Sequence, residues 1–283
     1  MATEGLDGGR AAVIGGGTMG AGIAQVLLEA GCEVVVVEAD AEAAERARAR
    51  TVEGLGRRKD ATPEDVEART SRLRTTTGFE APLDVQLVVE AIPEIPAAKR
   101  DLLAAAEKVV PPTALVASNT SSLSITDLAG ALERPERFLG MHFFNPVPLS
   151  ALVELVVGEA TAADAVAEAR RWVALLGKES IEVRDSPGFA TSRLGVALGL
   201  EAIRMLEEGV ASAADIDTGM VLGYRHPMGP LRLTDLVGLD VRLNIAEHLA
   251  ATLGPRFEPP ALLREKVANG DLGQKTGRGF YEW

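Results

Sequence analysis

The chain has 283 residues, 47% of them apolar and 25% charged, an ordinary globular composition; at roughly 150 residues per domain the length suggests two domains. Its 29 basic residues against 41 acidic ones leave a net charge of −12. That balance argues against a nucleic-acid binder, since such a surface repels phosphate backbones and any anionic ligand must find a local basic patch.

The first ten residues, MATEGLDGGR, contain acids and no basic n-region, so they do not read as a signal peptide. The last five, GFYEW, are not a peroxisomal address. A lone cysteine, Cys32, can make neither an internal disulfide nor a zinc site; it reads as a small buried residue in a reducing compartment, and a cytoplasmic location is expected. Residues 11–28 are uncharged, long enough to raise a membrane span. They hold five glycines and Gln25, which suits a buried strand–turn–helix better, and no membrane association is expected.

In chain order, AAVI (11–14) is a short apolar strand that runs into GGGTMG. A helix follows with Ile23, Val26, Leu27 and Ala30 on one face, ended by Gly31. VVVVE (34–38) is a run of β-branched residues and reads as a strand buried on both faces of a parallel sheet. Residues 40–74 are polar and rich in Ala and Arg, and read as one or two helices. LDVQLVVEAI is a buried strand, 97–109 a helix, TALVASN a strand and SITDLAGAL a helix. FLGMHFF and ALVELVVG are strands, 161–176 a helix and SIEVR a last short strand. Strand and helix alternate to about residue 184, the pattern of a doubly wound α/β sheet.

After DSPGF (185–189) the periodicity is helical over 190–209, 212–222, 230–253 and 259–269, and Ser212 with Asp215 forms an N-terminal capping pattern. The expected fold is therefore α/β: an N-terminal Rossmann-like doubly wound sheet over 1–184 and a C-terminal all-α domain over 185–283. Long apolar helices in so small a domain suggest pairing with a second copy, a homodimer through the C-terminal domain.

Gly15, Gly17 and Gly20 spell G-x-G-x-x-G between a strand and a helix, and Glu38 ends the next strand. In that context the string is the dinucleotide fingerprint. Gly15 permits the tight turn, Gly17 the approach of a pyrophosphate and Gly20 the close packing of helix on strand. The carboxylate of Glu38 accepts bonds from ribose hydroxyls and repels a 2′-phosphate, which favours NAD over NADP. Glu38 can also be read as a solvated strand end. Glu90 ends LVVEAI, where carboxyl ends of strands face the ligand crevice, so Glu90 and Lys99 are candidates for cofactor contact. Lys99 reads equally well as a surface helix charge.

A dehydrogenase acting on an alcohol needs a base for the hydroxyl proton, and histidine suits neutral pH. Of three histidines, His248 sits in a helical pattern and His226 precedes Pro227 in a turn. His142, in MHFFNP, ends a strand. Glu154 lies inside the otherwise apolar ALVELVVG, and a buried carboxylate needs a partner. His142, twelve residues upstream on a neighbouring strand, is one candidate, which would make Glu154 the group that orients a base; an arginine is the other. The polar cluster of ASNTSSLSI (Ser118, Asn119, Thr120, Ser121, Ser122 and Ser124) caps the next helix or binds a substrate oxygen. No G-x-S-x-G elbow is present, which disfavours a serine hydrolase.

Taken together, VIGGGTMGAGIAQ, LVVEAI, SNTSSLSI, FLGMHFFNPVP, LVELV, DSPGF, HPMGPLRLTDLVGLD and KTGRGFY resemble the short, single-function L-3-hydroxyacyl-CoA dehydrogenases over nearly the whole chain. The resemblance implies NAD-dependent oxidation of a (3S)-3-hydroxyacyl-CoA. It implies His142 as base, Glu154 as the residue orienting it and Ser121 as a contact to the substrate oxygen. A family asparagine after PGF aligns with Ser192 here, a shorter side chain that changes the contact to that oxygen. The family places coenzyme A on the helical region where residues 46–74 hold eight arginines and Lys59 against five acids, and Arg57, Arg58 and Lys59 are the candidates there; a solvated helix surface is the other reading. Two rival functions stay open: a dehydrogenase of a free hydroxy acid, of gulonate or carnitine type, and a catalytically idle binding subunit.

Overall fold

The computed structural model describes residues 8–79 and 83–283, so the reading of the first seven residues as no leader lies outside the described residues. The chain divides into two compact units, Met1–Asp185 and Ser186–Trp283.

The first unit is built on one eight-stranded sheet. Its strands are β1 (Arg10–Ile14), β2 (Glu33–Glu38), β3 (Leu73–Thr77), β4 (Leu87–Glu90), β5 (Leu115–Ser118), β6 (Phe138–Phe143), β7 (Leu152–Val157) and β8 (Glu179–Arg184), in the spatial order β3-β2-β1-β4-β5-β6-β7-β8. The central strands are apolar on both faces: every residue of β4 and β5, and Val34–Val37 of β2, is buried. This is the pattern of a sheet covered by helices on both sides. Six helices supply that cover: α1 (Thr18–Glu29), α2 (Ala41–Gly56), α3 (Pro63–Thr70), α4 (Pro96–Val109), α5 (Ile125–Ala129) and α6 (Ala163–Leu175). α1 presses Ile23, Leu27 and Leu28, all fully buried, onto the core; each such burial stabilises by roughly 1.5–3 kcal/mol relative to exposure. Cys32 is buried in the same cluster, and burial pushes its thiol up to about 11.

The sheet departs from the expected one in three places. β3 lies within and just beyond the stretch read as helix. Its sequence, LRTTT, pairs in parallel with β2 at the sheet edge and is only part-buried, so it lacks the apolar run that marks an inner strand. The strand expected over LDVQLVVEAI is confined to Leu87–Glu90. The third difference matters most: β7 runs antiparallel to β6, while every other pairing is parallel. β6 and β7 are joined by the short loop through Pro146 and Ser150, too short for the crossover that a parallel neighbour needs.

The second unit is all helix: α7 (Thr191–Glu207), α8 (Ala213–Thr218), α9 (Pro230–Val237), α10 (Leu239–Leu253) and α11 (Ala261–Ala268). Ser212 caps α8 by accepting from Asp215 N at 3.2 Å, as its sequence pattern implies. The single helix expected over 230–253 is two, broken at Gly238, whose φ of 103° no helix accommodates. The helix expected over 212–222 ends at Thr218 and passes into a π-turn, Gly219–Gly223. Val196, Leu200, Ile203, Leu231, Leu249 and Leu263 form the core. The C-terminal strand-like tail is clasped by two buried acids. Asp235 accepts from Phe280 N, Tyr281 N and Trp283 Nε1 at 2.8–2.9 Å. Asp217 accepts from Leu231 N, Arg232 N and the Tyr281 hydroxyl over the same range. Among the described residues no helix is long and apolar enough to cross a membrane.

Candidate active site

Because β1, β2, β4, β5 and β6 are parallel, their carboxyl ends share one edge of the sheet, and the chemistry-bearing residues gather there. The turn after β1 has Gly15 at φ 90°, and a Cβ on Gly20 would fall 1.7 Å from Gly15 O, so helix and turn close only with glycine at Gly20. Around Gly17 a Cβ would meet nothing within 4 Å. That open space lies at the N-terminus of α1, where no side chain caps the helix. Unpaired N–H groups and the helix dipole there suit a diphosphate. Glu38, at the end of β2, reaches back to accept from Gly16 N at 2.6 Å, which draws its carboxylate to the glycine turn. The donor set and the open cradle fit NAD. Arg50 of α2, which sequence reading passed over, donates to Gly16 O at 3.4 Å and brings a guanidinium to the same turn.

Glu90 and Lys99 meet each other instead of solvent. Lys99 is 1% exposed, which overturns its reading as a surface charge. Its Nζ lies 2.7 Å from Glu90 Oε1 and 3.3 Å from Glu94 Oε2. Glu90 also accepts from the Ser118 hydroxyl and from Ile92 N. A buried pair survives only when its remaining lone pairs and protons are satisfied, and here they are. Glu94 extends this network to the loop after β5, accepting from Thr120 Oγ1, Ser121 N at 2.7 Å and Ser121 Oγ at 3.3 Å. Of the serines in that loop, Ser124 is the helix cap, bonded to Asp127 N. Ser121 is positioned by Glu94, which carried no sequence signal because it sits in a loop with no periodic pattern.

His142 is the penultimate residue of β6 and stands directly opposite Glu154 of β7. Its Nδ1 is 3.0 Å from Glu154 Oε2. The histidine is 6% exposed and Glu154 is fully buried. The antiparallel pairing of β6 and β7 makes them cross-strand neighbours, which are the closest contacts a sheet offers. The arginine partner considered for Glu154 is not what faces it across the strands. With Nδ1 engaged by the carboxylate, the proton is assigned to Nδ1, leaving Nε2 as the basic nitrogen. The Phe144 ring packs 4.5 Å from the imidazole, centroid to centroid. Asn119, one of the polar residues of ASNTSSLSI, accepts from Phe143 N at 2.9 Å and ties the loop after β5 to the end of β6. His248 is exposed on α10, and His226 lies in the turn before Pro227.

Comparison with known proteins decides the family. A family model described as "3-hydroxyacyl-CoA dehydrogenase, NAD binding domain" matches residues 10–186, and one described as "3-hydroxyacyl-CoA dehydrogenase, C-terminal domain" matches residues 188–283. The chain belongs to the 3-hydroxyacyl-CoA dehydrogenase family. It is 41% identical over 275 residues to a probable 3-hydroxybutyryl-CoA dehydrogenase of Bacillus subtilis, covering 96% of each chain. It is 40% identical to a 3-hydroxyadipyl-CoA dehydrogenase of Escherichia coli, covering 96% of this chain and 58% of that longer one. The crystal structure of (S)-3-hydroxybutyryl-CoA dehydrogenase from Ralstonia eutropha superposes with a TM-score of 0.92 at 40% identity, covering 97% of this chain and 98% of that one.

Within the family's NAD-binding domain lie the glycine turn, Glu38, the Glu90–Lys99 pair, Ser121 and the His142–Glu154 pair; Ser192 lies in its C-terminal domain, in the first turn of α7. The basic cluster of this family member sits at the end of α2. Arg57 is paired with Glu53 at 2.6 Å. Arg58 is shared between Asp60 and Glu29 at 3.2 and 3.4 Å. Lys59 is exposed. The local excess of positive charge is thus partly neutralised within the fold. Beside it, α2 and α3 enclose a groove of ≈ 710 Å³ lined by Arg48, Val52, Gly56, Pro63, Val66 and Thr70, among others.

Proposed function

We propose that this chain oxidises a (3S)-3-hydroxyacyl-CoA to the 3-ketoacyl-CoA, reversibly and with NAD+. The observation that carries the proposal is the buried cross-strand pair of His142 and Glu154 at the carboxyl edge of a dinucleotide-binding sheet. When bound, NAD+ supplies the acceptor for the hydride leaving C3. His142 Nε2 takes the proton from the C3 hydroxyl, and Glu154 holds the ring in one tautomer and stabilises the imidazolium that forms. Ser121, steadied by Glu94, bonds the substrate oxygen, and Ser192 is a second contact to it by its place in the family pattern. Gly15, Gly17 and Gly20 hold the pyrophosphate, Glu38 the ribose, and the Glu90–Lys99 pair shapes the crevice floor. Arg57, Arg58 and Lys59, in the connection between α2 and α3, take the phosphates of coenzyme A.

The test is an assay of NADH oxidation with acetoacetyl-CoA beside NAD+ reduction with gulonate and carnitine. Turnover of the thioester alone is expected. Faster turnover of either free hydroxy acid, or no turnover of the thioester, overturns the proposal. In the same assay NADP(H) should support a kcat/KM lower by about two orders of magnitude, because the Glu38 carboxylate repels a 2′-phosphate. Equal use of both cofactors would remove Glu38 from the ribose.

The same reading places the protein in the cytoplasm, where its buried thiol stays reduced. It also makes the protein a homodimer through the helical domain, a reading supported by the exposure of Leu222, Tyr224, Leu236, Val237 and Val241 in that unit. Light scattering should give twice the 29.7 kDa chain mass; a monomer at micromolar concentration would contradict the dimer.

A further inference from the structure

Glu38 does not meet the glycine turn alone. Both backbone groups of Gly16 are in contact with charged side chains: its N–H donates to Glu38 Oε1 at 2.6 Å, and its carbonyl oxygen accepts from Arg50 Nη1 at 3.4 Å. α2 brings the guanidinium there by packing on the turn. A Cβ on Gly16 would fall 2.2 Å from Ala47 Cβ and 3.2 Å from Glu38 Oε1. Arg50, three residues after Ala47, shares that face of the helix. An acid and a cation therefore flank one residue of the dinucleotide turn, each bonded to its backbone.

The other arginines of α2 are committed. Arg46 is paired with Glu42 and Arg57 with Glu53, in each case one helical turn away, and Arg48 donates to Leu73 O at 3.1 Å. The residues four positions from Arg50 are Arg46 and Gly54, so no acid stands at that spacing. Among the described residues Arg50 meets no carboxylate, and it is exposed. Its bond to the Gly16 carbonyl is longer than an ordinary N–H···O bond of about 3 Å, a contact that a better acceptor displaces. The oxygens of a phosphate are such an acceptor for a planar guanidinium.

We infer that Arg50 is a latent receptor for the 2′-phosphate of NADP, held out of use by Glu38, so that the choice of cofactor in this chain turns on one carboxylate. This rests on the reading that Glu38 meets the adenosine ribose. In a dinucleotide-binding sheet the acid after the second strand takes the ribose 2′-hydroxyl, and an arginine near that place takes the 2′-phosphate instead. Here both are present at one turn residue. With Glu38 in place, a 2′-phosphate meets a like charge. Without that charge, the guanidinium already stands at the turn with no acid to give up.

Fluorescence titrations with NADH and NADPH read this without turnover. Glu38→Ser should weaken NADH binding and tighten NADPH binding by about tenfold or more relative to the native chain, the value of one charge-assisted hydrogen bond. Adding Arg50→Gln to Glu38→Ser should cancel the gain for NADPH. Adding Arg50→Lys, which keeps the charge and loses the planar fork, should cancel only part of it. Arg50→Gln alone should weaken NADPH more than NADH; Arg50 is exposed and outside the core, so this variant folds and tests the inference by itself. Three results overturn the inference while the dehydrogenase reading stands: no gain for NADPH in Glu38→Ser, a gain that survives Arg50→Gln, or an equal loss of both nucleotides in Arg50→Gln, which would put the guanidinium on their shared diphosphate. Equal binding of NADH and NADPH by the native chain removes Glu38 from the ribose and takes the inference with it.

Discussion

His142→Gln is expected to lower kcat by about 10²- to 10⁴-fold, the span that a positioned general base contributes, with NAD+ affinity changed by no more than about twofold. Glutamine is close to histidine in length and keeps a polar group opposite Glu154 on β7, so the cross-strand contact and the sheet survive. It has no basic nitrogen to accept the proton from the C3 hydroxyl. The cofactor cradle is built by the turn after β1 and by Glu38 of β2, separated from β6 by β4 and β5, so cofactor binding is not coupled to the substitution. Steady-state turnover of 3-hydroxybutyryl-CoA and a fluorescence titration with NADH measure the two halves. A kcat within about fivefold of the native value would take the base role away from His142; a parallel loss of NADH binding would mean that the substitution damaged the sheet.

Glu154→Gln is the sharper experiment, because it changes one atom type and no shape. Glu154 is fully buried, and its Oε2 faces His142 Nδ1 at 3.0 Å. The amide oxygen still accepts from Nδ1–H, so the fold is kept and the melting temperature should move by only about 2–4 °C, the shift of about 1 kcal/mol in a chain of this size. What disappears is the negative charge that stabilises the imidazolium once His142 holds the substrate proton. In sites of this logic that loss costs up to about 10⁴-fold in kcat, and a loss of at least about 10²-fold is expected here. If Glu154 only supported the sheet, kcat would be spared, KM and stability would shift together, and Glu154→Asp would restore stability and leave activity untouched.

These two residues show how far sequence reasoning reaches. Glu154 stood out because a carboxylate inside LVELVV is costly unless something meets it, and His142 was the only histidine at a strand end. That they touch was one of two alternatives. The antiparallel turn between β6 and β7 decided it by setting the register His142↔Glu154. Glu90 and Lys99 show the converse. Each was noticed singly, one as a strand end and the other as a helix residue with two readings. Their union with Ser118 and Glu94 depends on the ends of β4 and β5, the first turn of α4 and the loop before it meeting at one sheet edge. β3 was missed because an edge strand exposes half its surface and needs no apolar run.

By itself the sequence determined what local chemistry can dictate: the glycine turn, the runs of β-branched residues that must be buried on both faces, the shift to helical period after DSPGF, and the family. Those signals are contiguous, and each residue in them answers to its near neighbours. The tertiary structure alone decided which distant groups share a charge. It paired Lys99 with Glu90, led Glu94 to Ser121, and turned β7 so that Glu154 faces His142. The physical reason is that electrostatic pairing falls off over a few ångströms of space and is indifferent to separation along the chain, so only the folded path can bring such groups within reach.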